Sequence, residues 1–139
     1  MTDDASSTFR RVPVEVFNEG RLELIEELFS DDYVEHAAPP GVPDTRDGLV
    51  GFVSAIRAAF PDFHYEILQQ VDDGDTHVGY LRASGTMSGD FMGMPATGKS
   101  ATWDEIHIGR MADGKIAEHW AVIDQLGMLT QLGFIPPPG

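Results

Sequence analysis

The sequence predicts an α+β fold in which helices come first and an antiparallel sheet follows. Up to residue 60, apolar residues recur at the three- and four-residue spacing of amphipathic helices, and from His64 onward the pattern becomes that of strands. Asp113-Gly114 separates two of these strands and is typical of a tight β-hairpin. Three helices on one face of a strongly curved sheet would enclose a cone with a cavity.

The helical half divides into three segments. The first is capped by Ser7 or Thr8 and either begins again or kinks at Pro13, whose ring is tolerated only in a first helical turn. The second covers the apolar residues between 22 and 29, and the third covers 47–60 and ends before a proline. A loop rich in proline and glycine separates the second helix from the third.

The second half is predicted to form a meander of strands and a short last helix. The expected strands are residues 64–71, 76–84, 100–111 and 115–123, a long loop covers 85–98, and the C-terminal helix covers 124–132. The whole chain, 1–139, is expected to form a single domain with tails at 1–7 and 134–139.

Composition excludes several classes of function. The formal net charge of -14 disfavours nucleic acid and anionic membrane surfaces as partners, because both require a positive patch. The chain has no cysteine, so disulfides, thiol nucleophiles and zinc–thiolate sites are excluded. No apolar run approaches membrane-spanning length, and the N-terminus is polar and acidic. We therefore expect a cytoplasmic protein.

Asp124 is the most informative single residue, because it lies where a strand ends and a helix begins. Its carboxylate either caps that helix or projects into an apolar pocket, where burial would suit it to both giving and taking protons. Strand alternation places Asp124 on the same face as Ile116, Trp120 and Val122. Those apolar neighbours favour an inward-facing Asp124.

The other hairpin strand carries Trp103, Glu105 and His107 on one face, opposite Asp104 and two isoleucines. Both faces mix apolar and charged residues, so alternation alone does not say which is inward, and a solvated face or a cross-strand pair is an equally simple interpretation. The spacing of histidines matches no metal-binding motif, and nucleotide-binding and serine-hydrolase motifs are absent. We expect no metal and no coenzyme.

Several segments together resemble the SnoaL-like polyketide cyclase family, within the larger group of NTF2-like folds. The resemblance covers nearly the whole chain and is most specific in the loop before the third strand and in the segment that follows Trp120. The matching segments are 17–20, 32–36, 60–63, 85–99, 113–120 and 124–133.

The resemblance implies an NTF2-like cone and a cofactor-independent enzyme that closes a ring by intramolecular aldol condensation. It implies that Asp124 is the general acid/base and that His107 and Glu105 lie near the substrate. Flat apolar side chains would suit a planar, polyketide-like ligand. The candidate catalytic residues are therefore Asp124 and His107, and the candidate substrate-binding residues are Glu105, Trp120, Trp103, His36, Phe91, Met92, Met94 and Arg82.

Other functions stay open at this stage. The same cavity could serve polyketide hydroxylation, or an isomerase, dehydratase or epoxide hydrolase, the last using Arg82 as an inward-facing partner of Glu105 or Asp124. A different class is a non-catalytic ligand-binding or dimerisation module, since fold alone does not fix function. The resemblance also implies a homodimer or homotetramer that associates through the outer face of the sheet.

Overall fold

The computed structural model of the chain describes residues 3–136. A helical layer packs on one face of the sheet, and a further helix follows the last strand. The helices are α1 (Asp3–Arg11), a π-helical segment (Val12–Phe17) that continues it, α2 (Leu24–Leu28), α3 (Arg46–Ala59) and α4 (Gln125–Leu132). Part of the predicted tail 1–7 is therefore helical. Positions 1–2 and 137–139 of the predicted tails lie outside the described residues.

The sheet has five strands in the order β1-β5-β4-β3-β2 and is not closed into a barrel. Four of them form the antiparallel meander that the sequence predicts, and the fifth pairs in parallel with β5 at the sheet edge. The strands are β1 (Phe29–Glu35), β2 (His64–Asp73), β3 (Thr76–Thr86), β4 (Ser100–Ala112) and β5 (Lys115–Ile123). The sheet is thus mixed, and the sequence did not predict β1.

The N-terminal helix begins earlier than its predicted cap and changes geometry at Pro13. Because proline has no backbone N–H, it is tolerated in the first turn of a new helical segment. The segment from Val12 to Phe17 is π-helical, and the backbone N–H of Asn18 donates to the carbonyl of Pro13 at 3.0 Å. The two expectations for Pro13 are a new helix start and a change within a continuing helix. The second is observed.

A β-bulge in β5 decides which of its side chains face inward. Met111 pairs with Ile116 and Arg110 pairs with Glu118, so that Ala117 has no partner on β4. One extra residue reverses the alternation of every side chain that follows it. Ile116 is buried, but from Glu118 onward the even-numbered residues lie on the outer face of the sheet.

The hydrophobic core fills the space between the helical layer and the inner face of the sheet. Its most deeply buried large side chains come from every part of the helical layer, the loop after β3 and the sheet: Phe60, Ile25, Met87, Ile116, Leu132, Val16 and Val53. Toward the other end of the same layer the side chains separate and leave a cavity. Among residues 3–136, the helices are too short or too polar to cross a membrane.

Candidate active site

The cavity between the helices and the sheet has a volume of about 560 Å³. Such a volume lies within the range of small-molecule sites, which are mostly apolar with a few fixed polar groups. Four predicted ligand contacts line this cavity: Trp103, Phe91, Met92 and Met94. Glu105 and His107 line it as well. The face of β4 that carries Trp103, Glu105 and His107 is therefore the inner one, which strand alternation alone does not decide.

Four titratable side chains on the cavity wall are joined end to end by hydrogen bonds. We call them the acid–base row: Glu35, His119, His107 and Glu105. The distances are 2.6 Å from Glu35 Oε2 to His119 Nδ1 and 2.8 Å from His119 Nε2 to His107 Nδ1. The last link, from His107 Nε2 to Glu105 Oε1, is 2.6 Å.

The row arises from the register of three neighbouring strands. In the pairing of β4 with β5, Gly109 lies opposite His119 and His107 lies opposite Ala121. Glu35 lies opposite His119 in the parallel pairing of β1 with β5. The two imidazole rings stack with centroids 5.0 Å apart.

Glu105 is the most buried member of the row, with 4% of its side chain exposed. Tyr65 donates its hydroxyl to Oε1 at 2.7 Å, and the Trp103 indole N–H donates to Oε2 at 2.7 Å. Burial acts to raise the pKa of Glu105, but the hydrogen bond and charge of His107, with these two donors, hold it below its ordinary value. Glu105 is therefore a buried, ionised carboxylate.

Glu35 terminates the row at the other end. Its Oε2 accepts from His119 and from the backbone N–H of Ala37 at 3.1 Å, and its Oε1 accepts from the Tyr33 hydroxyl. Burial acts to raise the pKa of Glu35, but the hydrogen bonds from His119, Tyr33 and Ala37 lower it more, so the net shift is downward. Burial also lowers the pKa of the His119 imidazole.

The two tyrosines that bind the row stay protonated. Burial beside the carboxylates raises the pKa of Tyr65 well above its ordinary value and raises that of Tyr33 in the same direction. Each hydroxyl therefore acts as a fixed donor. Among residues 3–136, no group of three or more His, Cys, Asp or Glu side chains is arranged to hold a metal ion.

Asp124 does not lie in the row. It is exposed and serves as N-cap of α4, where its Oδ1 accepts from the Gly127 N–H at 2.9 Å. A Cβ at Gly127 would come within 2.3 Å of Oδ2, so the close approach depends on glycine at that position. The prediction that Asp124 faces inward with Trp120 is wrong, because the bulge at Ala117 reverses the alternation. Its proposed role in proton transfer stays a prediction.

Trp120 and His36 lie together on the outer face of the sheet. Their rings stack with centroids 4.7 Å apart, and His36 Nε2 is 2.8 Å from a carboxylate oxygen of Glu118. Both side chains are exposed, at 37% for Trp120 and 38% for His36. The expectation that His36 lies at the cavity edge is therefore also wrong, and contact of either residue with substrate stays a prediction.

Arg82 points away from the cavity, so its predicted inward orientation is wrong. It lies opposite Asp104 in the pairing of β3 with β4, and its Nε donates to Asp104 Oδ1 at 2.8 Å. Its neighbours Leu81 and Ala83 take the inward positions of β3. An Asp–Arg–Asp arrangement for epoxide opening is therefore not formed with Arg82.

Sequence reasoning missed Glu35 and His119. The interpretation of residues up to 36 as helix end and loop hid the alternation of Tyr33 and Glu35, which share a face of β1. Regular alternation from Ile116 would place His119 on the outer face, and the bulge at Ala117 reverses this. The exclusion of Ala117 from the pairing can be read only from the strand register.

The fold and the cavity define a class: small α+β proteins that hold an apolar ligand between helices and a curved sheet, with acid–base groups on the wall. A family model for SnoaL-like polyketide cyclases matches residues 7–132. The chain is 31% identical over 123 residues to the aklanonic acid methyl ester cyclase DnrD of Streptomyces peucetius, which covers 86% of this chain and 85% of that enzyme.

A second curated enzyme and a solved structure support the same family. The nogalonic acid methyl ester cyclase of Streptomyces nogalater is 33% identical over 126 residues, covering 86% of this chain and 91% of that enzyme. The crystal structure of IdmH from Streptomyces antibioticus, a candidate polyketide cyclase, matches with a TM-score of 0.80 at 36% identity, covering 93% of this chain and 98% of that one. The chain belongs to the SnoaL-like polyketide cyclase family, and it is a cyclase-like enzyme.

Proposed function

We propose that this chain closes a carbocyclic ring of a polyketide ester by intramolecular aldol condensation, without a coenzyme. The observation that carries the proposal is an apolar cavity of about 560 Å³ whose wall holds the continuous, hydrogen-bonded acid–base row. A pocket that only binds an apolar ligand does not need such a row. Burying several ionisable groups is costly unless they are paired, and such groups cluster at functional sites.

The chemistry suits this cavity. A base removes a proton from a carbon flanked by carbonyls, and the C–H electrons form an enolate delocalised over the substrate. The enolate carbon then bonds to a second carbonyl carbon, and the oxygen of that carbonyl takes a proton. Trp103 and Phe91 offer flat walls for a planar ring system, and Met92 and Met94 offer adaptable contact.

Two locations are candidates for the group that moves the proton. The family resemblance implies Asp124, and the geometry favours the acid–base row, which includes His107, the second candidate catalytic residue. Asp124 would have to release Gly127 N–H and turn toward the cavity before it could meet a substrate. The row already lines the cavity.

The proposal is tested by offering the purified protein the two esters that its relatives are named for. We expect aklanonic acid methyl ester or nogalonic acid methyl ester to be converted, without added coenzyme, into a cyclised isomer of unchanged mass. A protein that binds both esters and converts neither would instead favour the non-catalytic binding module.

Self-association is part of the proposal. Three exposed apolar side chains and the half-buried Ile108 form a patch on the outer face of β4 and β5, which we call the outer patch: Ile106, Ile108, Trp120 and Val122. Val122 alone is 75% exposed. Exposed apolar patches on a sheet face commonly mark protein–protein contacts, and this one supports a homodimer or homotetramer. Location in the cytoplasm stays a prediction.

A further inference from the structure

The hydrogen bonds of the acid–base row fix how many protons it holds. Each carboxylate can only accept, so His119 must donate from Nδ1 to Glu35 and His107 must donate from Nε2 to Glu105. The remaining contact joins two ring nitrogens 2.8 Å apart, and it is a hydrogen bond only if one of them carries a proton. The two imidazoles therefore share three protons, and together they carry one positive charge.

That positive charge lies nearer Glu105 than Glu35. Burial lowers the pKa of His119, which keeps this ring neutral and leaves the imidazolium at His107. His107 then donates to both of its neighbours, and His119 accepts at Nε2. Glu105 is bound to a cation, whereas Glu35 is bound to a neutral imidazole. Of the two carboxylates, Glu35 is the stronger base.

Glu35 is also the more accessible of the two. Its side chain is 12% exposed, against 4% for Glu105, whose Oε2 lies in the core beneath the Trp103 indole. A carboxylate oxygen has room for about two hydrogen bonds. Among the described residues, Oε2 of Glu35 has two donors, while Oε1 accepts from the Tyr33 hydroxyl and keeps one position free.

We propose that Glu35 is the general base, and then the general acid, of the ring closure proposed above. The free position of its Oε1 takes the proton from the substrate carbon, and the C–H electrons remain on the substrate as an enolate. After the enolate carbon bonds to the carbonyl carbon, the neutral carboxyl returns the proton to the new alkoxide oxygen. The Glu35 carboxylate is restored, and the acid–base row has neither gained nor lost a proton.

The other members of the row act through Glu35. His119 is a positioning residue. Its N–H holds Oε2 of Glu35 and so fixes the direction of Oε1, the oxygen that keeps a free hydrogen-bonding position. The imidazolium at His107 favours the ionised form of Glu105. The hydrogen bonds from His119, Tyr33 and Ala37 favour the ionised form of Glu35 between turnovers. A modest base suffices here, because the abstracted proton lies between two carbonyls.

The inference rests on the proposed function, so the test should separate the two. The probe is deuterium exchange in D₂O at the carbon of aklanonic acid methyl ester that loses its proton in ring closure, followed by NMR alongside ring closure. Glu35→Gln should slow exchange by about 10²- to 10⁴-fold, as expected for loss of a general base. Binding of the ester, measured by quenching of tryptophan fluorescence, should be retained.

Matched variants keep the test decisive. Glu66→Gln makes the same change at an exposed position of β2 outside the cavity lining and should exchange at the wild-type rate. Glu35→Asp keeps a carboxylate but withdraws it, so it should recover part of the exchange rate, and it replaces Glu35→Gln if that variant does not fold.

The outcomes divide as follows. Folded Glu35→Gln that exchanges at the wild-type rate overturns the role of Glu35. Wild-type protein that exchanges deuterium in a Glu35-dependent manner but closes no ring supports Glu35 and contradicts the cyclase reaction. Wild-type protein that does neither contradicts both.

Discussion

At the residue scale, Asp124 is exposed and caps α4, while Glu35 lies in the cavity wall with three donors around it. The sequence predicts an inward-facing Asp124 and misses Glu35. The difference follows from one bulge and one short strand. A carboxylate after a strand can be predicted from sequence, but its direction depends on the register of the strand before it.

We predict that Asp124 contributes to stability more than to turnover. Asp124→Ala should lower the free energy of unfolding by about 1 kcal/mol, the usual cost of losing an N-cap, and Asp124→Asn should preserve the cap. Asp124→Asn should also close rings at a rate close to that of wild type, because Glu35 moves the proton. Urea unfolding and initial rates measure the two effects. A folded Asp124→Asn that loses several orders of magnitude in rate would restore Asp124 as the acid/base.

At the element scale, the sequence predicts the helices and the meander well, and it fails where one residue changes the geometry. The hairpin at Asp113-Gly114 and the strand bounds of β5 agree with expectation. β1 was missed because seven residues with mixed burial follow a short apolar helix without a break. His107 and Glu105 could be predicted as one face of β4, but their partners on β1 and β5 could not, since those contacts depend on tertiary pairing.

The acid–base row links β1, β4 and β5, and it should make the stability of the protein depend on pH. Glu105, Glu35 and His119 all have a pKa lowered by folding, so over the pH range in which these three groups titrate they bind more protons in the unfolded chain than in the folded one. Their stabilisation is present above the ordinary values of about 6.5 for His and about 4.3 for Glu. This stabilisation is lost as the pH falls from those values toward the lower pKa values of the folded chain.

Urea unfolding from about pH 7 down to about pH 3 tests this dependence. We expect the free energy of unfolding to fall steadily with pH, and Glu105→Gln to lower stability near neutrality and to flatten the curve in acid. Glu66→Gln, at an exposed position, serves as the control. An unchanged slope in Glu105→Gln would show that this carboxylate titrates alike in the folded and unfolded chains.

At the scale of the whole molecule, the sheet separates the cavity from the outer patch. Its inner face builds the cavity, and its outer face carries the outer patch on a chain whose formal net charge is -14. Strong net charge opposes association of identical chains, so a patch must supply enough apolar contact to overcome it. The pairing of Ile106 with Val122, and of Ile108 with Trp120, makes the patch continuous.

We expect the chain to be a homodimer or homotetramer that depends on the outer patch. Val122→Asp places a charge at its most exposed position and should shift the mass measured by light scattering toward that of a monomer. Val14→Asp makes the same change on the helical layer, where Val14 is 40% exposed, and should leave the mass unaltered. Wild-type protein that is a monomer at high concentration would refute the interface.

The most direct test of the central claim is the mass and structure of the product formed from aklanonic acid methyl ester by the purified wild-type protein alone. We expect a cyclised isomer with the mass of the substrate, formed without added metal or coenzyme. A product heavier by one oxygen atom would indicate hydroxylation instead. An ester that binds in the cavity and is recovered unchanged would contradict the assignment of ring closure to this chain.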